Sequence, residues 1–131
     1  MREGAFVFMA EIIPFKGLRY NAELIGDISK VVTPPYDIIS PQEQMEYYEK
    51  SKYNCIRLEL PIEMPGDDDT YNKYTRAAQT LQNWINDKIL IREEKPSFYI
   101  YQQDFVLSDG THYTRTGFIG LVRLEEFSKG I

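Results

Sequence analysis

SFYIYQQDFVLSDGTHYTRTGFIGLVRL, residues 97–124, is the stretch from which the fold class follows. Two runs rich in Tyr, Phe, Ile, Val and Thr flank Ser108-Asp109-Gly110. Such residues suit a pleated, half-buried surface. The Asp-Gly dipeptide is a strong signal for a type I′ hairpin turn, because glycine accepts the positive φ that the turn demands. Both arms are longer than the usual strand, so the hairpin is expected to form the spine of a sheet. Gly117 and Gly120 interrupt the second arm and mark a bulge or a close backbone approach.

Moving toward the N-terminus, residues 88–92 (KILIR) form a short extended piece. Before it, Tyr71, Tyr74, Ala77, Ala78, Leu81, Trp84 and Ile85 recur at helical spacing. That helix is expected to begin in the loop PIEMPGDDD and to run to about Asn86. Its acidic start agrees with the positive end of the helix dipole. Residues 54–60 (NCIRLEL) alternate apolar and charged side chains, which reads as a strand with one wet face. Ser40-Pro41-Gln42-Glu43 supplies a serine cap, a proline at the first helical position and a glutamate at the third. This capping box starts a helix running to about Lys50.

Residues 29–33 (SKVVT) read as a short β-branched strand, and residues 9–15 (MAEIIPF) as another that ends near Pro14. Between them KGLRYN reads as a loop with a glycine hinge. Strands and helices in this order give an α+β domain: a mixed sheet, a long C-terminal hairpin and two helices. Residues 1–8 precede a second methionine, Met9, and read as an N-terminal extension, disordered or forming an added edge strand. Residues 9–131 are expected to make one domain. Its end, Arg123 to Ile131, leaves a strand with no closing element, as in a piece of a longer protein. An uncovered sheet edge would then invite self-association.

A chain of 131 residues with 43% hydrophobic and 27% charged residues has the composition of a globular domain with its own core. Ten tyrosines against seven phenylalanines favour half-buried strands and pocket walls. The net charge of −5 argues against sequence-independent binding to nucleic acid, which needs a basic surface. One cysteine, Cys55, excludes an internal disulfide, and its apolar surroundings suit a buried, inert thiol. No apolar run approaches membrane-spanning length, and the first residues lack the form of a signal peptide, so the cytoplasm is the expected compartment. Asp67-Asp68-Asp69 reads as a cap with favourable dipole charges rather than a metal site. His112 is the only histidine and has no partners in a triad pattern.

The chemistry-bearing stretch is SKVVTPPYDIISPQE, residues 29–43. Pro34 and Pro35 make a rigid turn, and a cis bond between them is an open alternative. Tyr36 and Asp37 follow, and then a helix start whose N–H groups suit a small anion or a metal–phosphate group. Asp37 is therefore the candidate catalytic carboxylate. Tyr36, Ser40 and Arg57 are the candidate ligand contacts, and no metal ligands are assigned. The plain alternative is that Asp37 caps a turn and Tyr36 fills a gap.

AEIIPFKGLRYN, SKVVTPPYDIISPQEQ, YNCIRLELP, GDDDTYNKYTRAAQTLQNWI and the hairpin resemble, in order, the signatures of domain of unknown function family 1015. The resemblance spans residues 9–131. Members of that family are longer than this chain and continue into a Gly-His-His-Arg-type block. The family in turn resembles the ParB-like superfamily, so the fold implied is an incomplete ParB-like domain. The resemblance implies the N-terminal part of a nucleotide-binding protein or small-metabolite, serine-type kinase, using ATP or ADP with Mg²⁺. Asp37 would then be a base or metal contact and Tyr36 a pocket wall. The superfamily's arginine at the corresponding turn is missing here, as is its main phosphate-binding element. The alternative is a non-catalytic module that binds a ligand or a protein.

Overall fold

The computed structural model describes residues 10–126. The expectations for residues 1–8, and for the segment from Phe127 onward, lie outside the described residues. Helices and strand pairs are both present, as an α+β class requires. The described residues group into two compact units, Leu18–Arg92 and residues 10–17 with 93–126.

The Leu18–Arg92 unit holds β2 (Leu18–Tyr20), α1 (Ala22–Ile25), α2 (Pro41–Lys50), α3 (Ile56–Glu59), α4 (Lys73–Asn86) and β3 (Leu90–Arg92). Strands β2 and β3 pair antiparallel, Leu18 opposite Arg92 and Tyr20 opposite Leu90. The residues KGLRYN, expected as a loop, thus supply a strand. The core of the unit is Trp84, Ile89 and Leu90, with Leu18, Tyr20, Ile25, Tyr53, Leu58 and Ile85 packed against it. Val31 and Ile56 are also fully buried.

Helix α2 has the bounds and the cap that its sequence predicts: the Ser40 side chain receives the Glu43 N–H, and the Glu43 carboxylate receives the Ser40 N–H. Helix α4 begins later than expected. Asn72, not an aspartate, caps it, receiving the N–H groups of Tyr74 and Thr75. Tyr71 precedes the helix and Tyr74 lies in its first turn, and both are largely exposed. The helix ends at Asn86 with Asp87 as its C-cap, after which Lys88 adopts φ +63, a left-handed conformation that disfavours any side chain with a Cβ. Lys88→Gly is expected to stabilise the unit by about 0.5–1 kcal/mol, read as a higher urea midpoint. A lower midpoint would mean that the lysine side chain makes a contact outweighing the strain.

Neither of two expected strands forms, and helical turns occupy part of each. Asp27 Oδ1 receives the N–H and hydroxyl of Ser29 at 2.9 and 2.7 Å, closing a 3₁₀ turn over Ile28–Lys30. Asn54 Oδ1 receives the Ile56 N–H at 2.9 Å and starts α3. In both places a short polar side chain satisfies a nearby N–H and so favours a turn over a ladder. The apparent alternation of NCIRLEL is carried by one helical turn with Ile56 inside.

The other unit holds β1 (Ile12–Ile13), β4 (Tyr99–Val106), β5 (His112–Ile119) and β6 (Leu121–Val122). β1 pairs antiparallel with β6, and β4 with β5 from Tyr99–Ile119 to Val106–His112. With the helical turns removed from the sheet, the strands of the described residues form three separate antiparallel pairs, not one mixed sheet. The hairpin loop also differs from the type I′ form. Leu107 O receives the Gly110 N–H, and only Gly110 (φ +84) is left-handed, so this is a type I turn followed by a glycine bulge. Gly117 leaves the ladder regular. Gly120 is the close approach: a Cβ there would stand 2.9 Å from the Phe98 ring.

Candidate functional site

The Pro34–Pro35 turn is pinned on both sides. Upstream, the Asn54 amide donates to the carbonyls of Lys30 (2.8 Å) and Val32 (3.5 Å), and the Cys55 N–H donates to Val31 O at 2.8 Å. Thr33 Oγ1 lies 3.4 Å from Cys55 Sγ. Downstream, the Ser40–Glu43 box anchors α2. Between these anchors all peptide bonds are trans, so Pro34–Pro35 is trans. Tyr36, Asp37 and Ile38 form a single 3₁₀ turn, with the Ile38 N–H donating to Pro35 O at 3.2 Å.

Within this turn Asp37 is exposed and Tyr36 is 62% exposed. Neither side chain makes a hydrogen bond or ion pair among the described residues. The other two candidates are engaged in the scaffold. Ser40 Oγ donates to Glu43 Oε2 at 2.7 Å, and the Ser40 N–H donates to the same oxygen at 2.8 Å. Those two bonds hold the Glu43 carboxyl below its usual range. The helix start therefore already carries a negative charge of its own. Arg57 donates to Tyr48 O and Ser51 O, each at 2.8 Å, and lies over the Tyr48 ring. It closes the C-terminal turn of α2 and ties that helix to α3.

Sequence reasoning missed three anchors. Asn54 is completely buried and has a partner for both ends of its amide. Tyr20 sends its hydroxyl to Tyr53 O at 2.7 Å, and burial, followed by the nearby Cys55 and Glu59, pushes its phenol up. Arg76 grips Asp67 with both arms, Nη1 to Oδ1 at 2.5 Å and Nη2 to Oδ2 at 2.9 Å, and also reaches Ile62 O. Asp68 in turn receives the N–H groups of Thr70 and Tyr71. The acids thus order the loop before α4 rather than cap the helix.

The Asp67 pair carries a pH signature. Hydrogen bonds from Arg76, then from the Met64 N–H, lower its carboxyl from 3.8 to about 2. Its contribution is therefore complete above about pH 4 and is lost as the pH falls through 2. Asp67→Asn should lower the urea midpoint at pH 7, with the gap to wild type closing between pH 4 and 2. A gap that persists at pH 2 would assign the loss to packing instead.

No helix among the described residues is long and apolar enough to cross a membrane. The described residues hold no group of three His, Cys, Asp or Glu side chains placed to share a metal ion. In comparison with known families, the model described as "Protein of unknown function (DUF1015)" matches residues 12–131. No curated protein and no solved structure matches the chain.

Proposed function

The chain belongs to the DUF1015 family, and on that premise we propose that it is a binding module which meets its ligand through Tyr36 and Asp37. One observation carries this reading: an aromatic ring and a carboxylate stand exposed and unengaged on a turn fixed at both flanks. A carboxylate beside an aromatic face suits a cationic group, such as the guanidinium of a partner's arginine.

A second reading makes Asp37 the base or metal contact of a ParB-like, nucleotide-dependent phosphotransferase. Its free carboxylate favours that role, and the resemblance implies ATP or ADP with Mg²⁺. The helix start does not fit the phosphates, however. Glu43 fills the space where they would meet N–H groups, and Arg57 is turned onto carbonyls. No step through a nucleotide is drawn from these residues.

Amide chemical shifts separate the readings. An arginine-rich peptide should move the amides of residues 33–40, and Tyr36→Ala or Asp37→Asn should weaken that binding about tenfold, equivalent to roughly 1.4 kcal/mol. Shifts from ATP–Mg²⁺ that Asp37→Asn abolishes would replace the module reading with the nucleotide one. Silence toward every probe, or binding indifferent to both substitutions, would remove the site.

A further inference from the structure

The hairpin β4–β5 is regular over eight pairs, yet almost every residue on it is exposed. Ile100 is 74% exposed, and Tyr101, Val106, Leu107 and Phe118 also stand open. Among the described residues, β4 pairs with β5 alone. A two-stranded hairpin is marginal in water unless something extends or covers it. β4 has no proline, no lysine and no bulge to blunt its edge, and Asp104 is its one charge.

The order of side chains along β4 identifies what fits this edge. Residues 99–107 read Tyr, Ile, Tyr, Gln, Gln, Asp, Phe, Val, Leu, which is a chemical palindrome about Gln103. A second copy running antiparallel about Gln103 would place Tyr99 opposite Leu107, Ile100 opposite Val106 and Tyr101 opposite Phe105. Gln102 would face Asp104, and Gln103 would face itself. Apolar meets apolar and polar meets polar at every position, and the two carboxylates never face each other.

The backbone phase agrees. Leu107 donates its N–H inward to Thr111 O. In an antiparallel ladder inward and outward positions alternate, so the odd residues of β4 bond to β5. Ile100, Gln102, Asp104 and Val106 therefore aim their N–H and C=O groups outward. The palindromic register matches these residues with one another, giving hydrogen-bonded pairs Ile100–Val106 and Gln102–Asp104, each twice. Asp104 keeps one oxygen for its own Thr114, 2.6 Å away, and has the other for the facing Gln102 amide. The β5 edge lacks this symmetry: its full-length register, centred on Arg115, would oppose two guanidinium groups.

We infer that the chain forms a two-fold dimer in which β4 pairs antiparallel with β4 of a second copy about Gln103, making a continuous four-stranded sheet. The contact is isologous, so it closes on itself rather than growing into a fibre. It does not depend on the Tyr36–Asp37 turn.

Sedimentation of the 131-residue chain should show a dimer. Gln102→Pro removes an outward N–H and should weaken dimerisation at least about tenfold, roughly 1.4 kcal/mol. Thr116→Pro makes the same change on the β5 edge and should leave the dimer intact. The facing Gln103 residues form a non-hydrogen-bonded pair with Cα atoms about 4.5 Å apart, within disulfide reach. In a Cys55→Ala background, Gln103→Cys should therefore cross-link under mild oxidation while Gln102→Cys does not. That cross-link reads the register without altering the backbone, so a misfolded proline variant cannot decide the matter. A monomer at all concentrations, including one that takes a strand from another protein, overturns the inference. So does cross-linking that is equal at positions 102 and 103.

Discussion

Asn54→Leu is expected to destabilise the Leu18–Arg92 unit by about 2–4 kcal/mol, although leucine has the same branched arrangement of side-chain heavy atoms as asparagine. The asparagine is completely buried, and its amide bridges two segments: the nitrogen donates to Lys30 O and the oxygen receives the Ile56 N–H. Leucine would leave the buried Ile56 N–H and the part-buried Lys30 carbonyl without their partner, and an orphaned buried group costs about 1–3 kcal/mol. A domain of this size has about 5–15 kcal/mol in total, so the variant should sit near its stability threshold. Urea unfolding followed by Trp84 fluorescence measures the loss. A change under 1 kcal/mol would mean that water or a backbone shift replaces the amide.

The charged analogue adds a sign. In Asn54→Asp the carboxylate keeps the bond from Ile56 but faces the Lys30 carbonyl, and burial also disfavours its charge. The folded-state pKa should therefore rise above the ordinary value near 4. The variant is then most stable below that value and loses stability as the pH rises through the folded pKa. Stability rising with pH would show an ionised aspartate with a partner. Because Asn54 also fixes the residues before Pro34, both substitutions should loosen the Tyr36–Asp37 turn and weaken whatever binds there.

The sequence made some of this arrangement legible and hid the rest for identifiable reasons. While the Asp-Gly turn was assigned the wrong type, some short-range signals were read correctly. The Ser40–Glu43 box, the length of α2 and the hairpin arms are of this kind. What also failed was the choice between strand and turn in short mixed runs. SKVVT and NCIRLEL have strand-like composition, but Asp27 and Asn54 each capture an N–H two residues on, and that local bond decides the outcome. At the candidate site, the exposure of Tyr36 and Asp37 was compatible with the proline turn. The engagement of Ser40 and Arg57 was only half visible: a capping box already implies that its serine is occupied, whereas the two carbonyls that hold Arg57 lie six and nine residues away. Asn54, Tyr20 and Arg76 make contacts across 24, 33 and 14 residues, and no local pattern encodes these.

Trp84→Ala should cost about 3–5 kcal/mol and is the largest single truncation available in the core. Trp84 is 6% exposed near the end of α4, where Ile89 and Leu90 follow on β3 and are buried with it. Tyr20 and Tyr53 pack on the indole with centroids 6.0 and 6.2 Å away, the latter edge-on at 78°. Those two tyrosines are themselves joined by the Tyr20 hydroxyl on Tyr53 O. Removing the indole therefore opens a cavity and frees both rings, so that hydrogen bond should weaken along with the packing. A double-mutant cycle with Tyr20→Phe tests this coupling. Tyr20→Phe alone should cost about 1 kcal/mol, and distinctly less in the Trp84→Ala background. Trp84→Phe keeps a ring in the site and should recover more than half of the alanine loss. Strict additivity in the cycle would mean that the hydroxyl is held by the β2 backbone alone and that the aromatic cluster contributes packing without positioning.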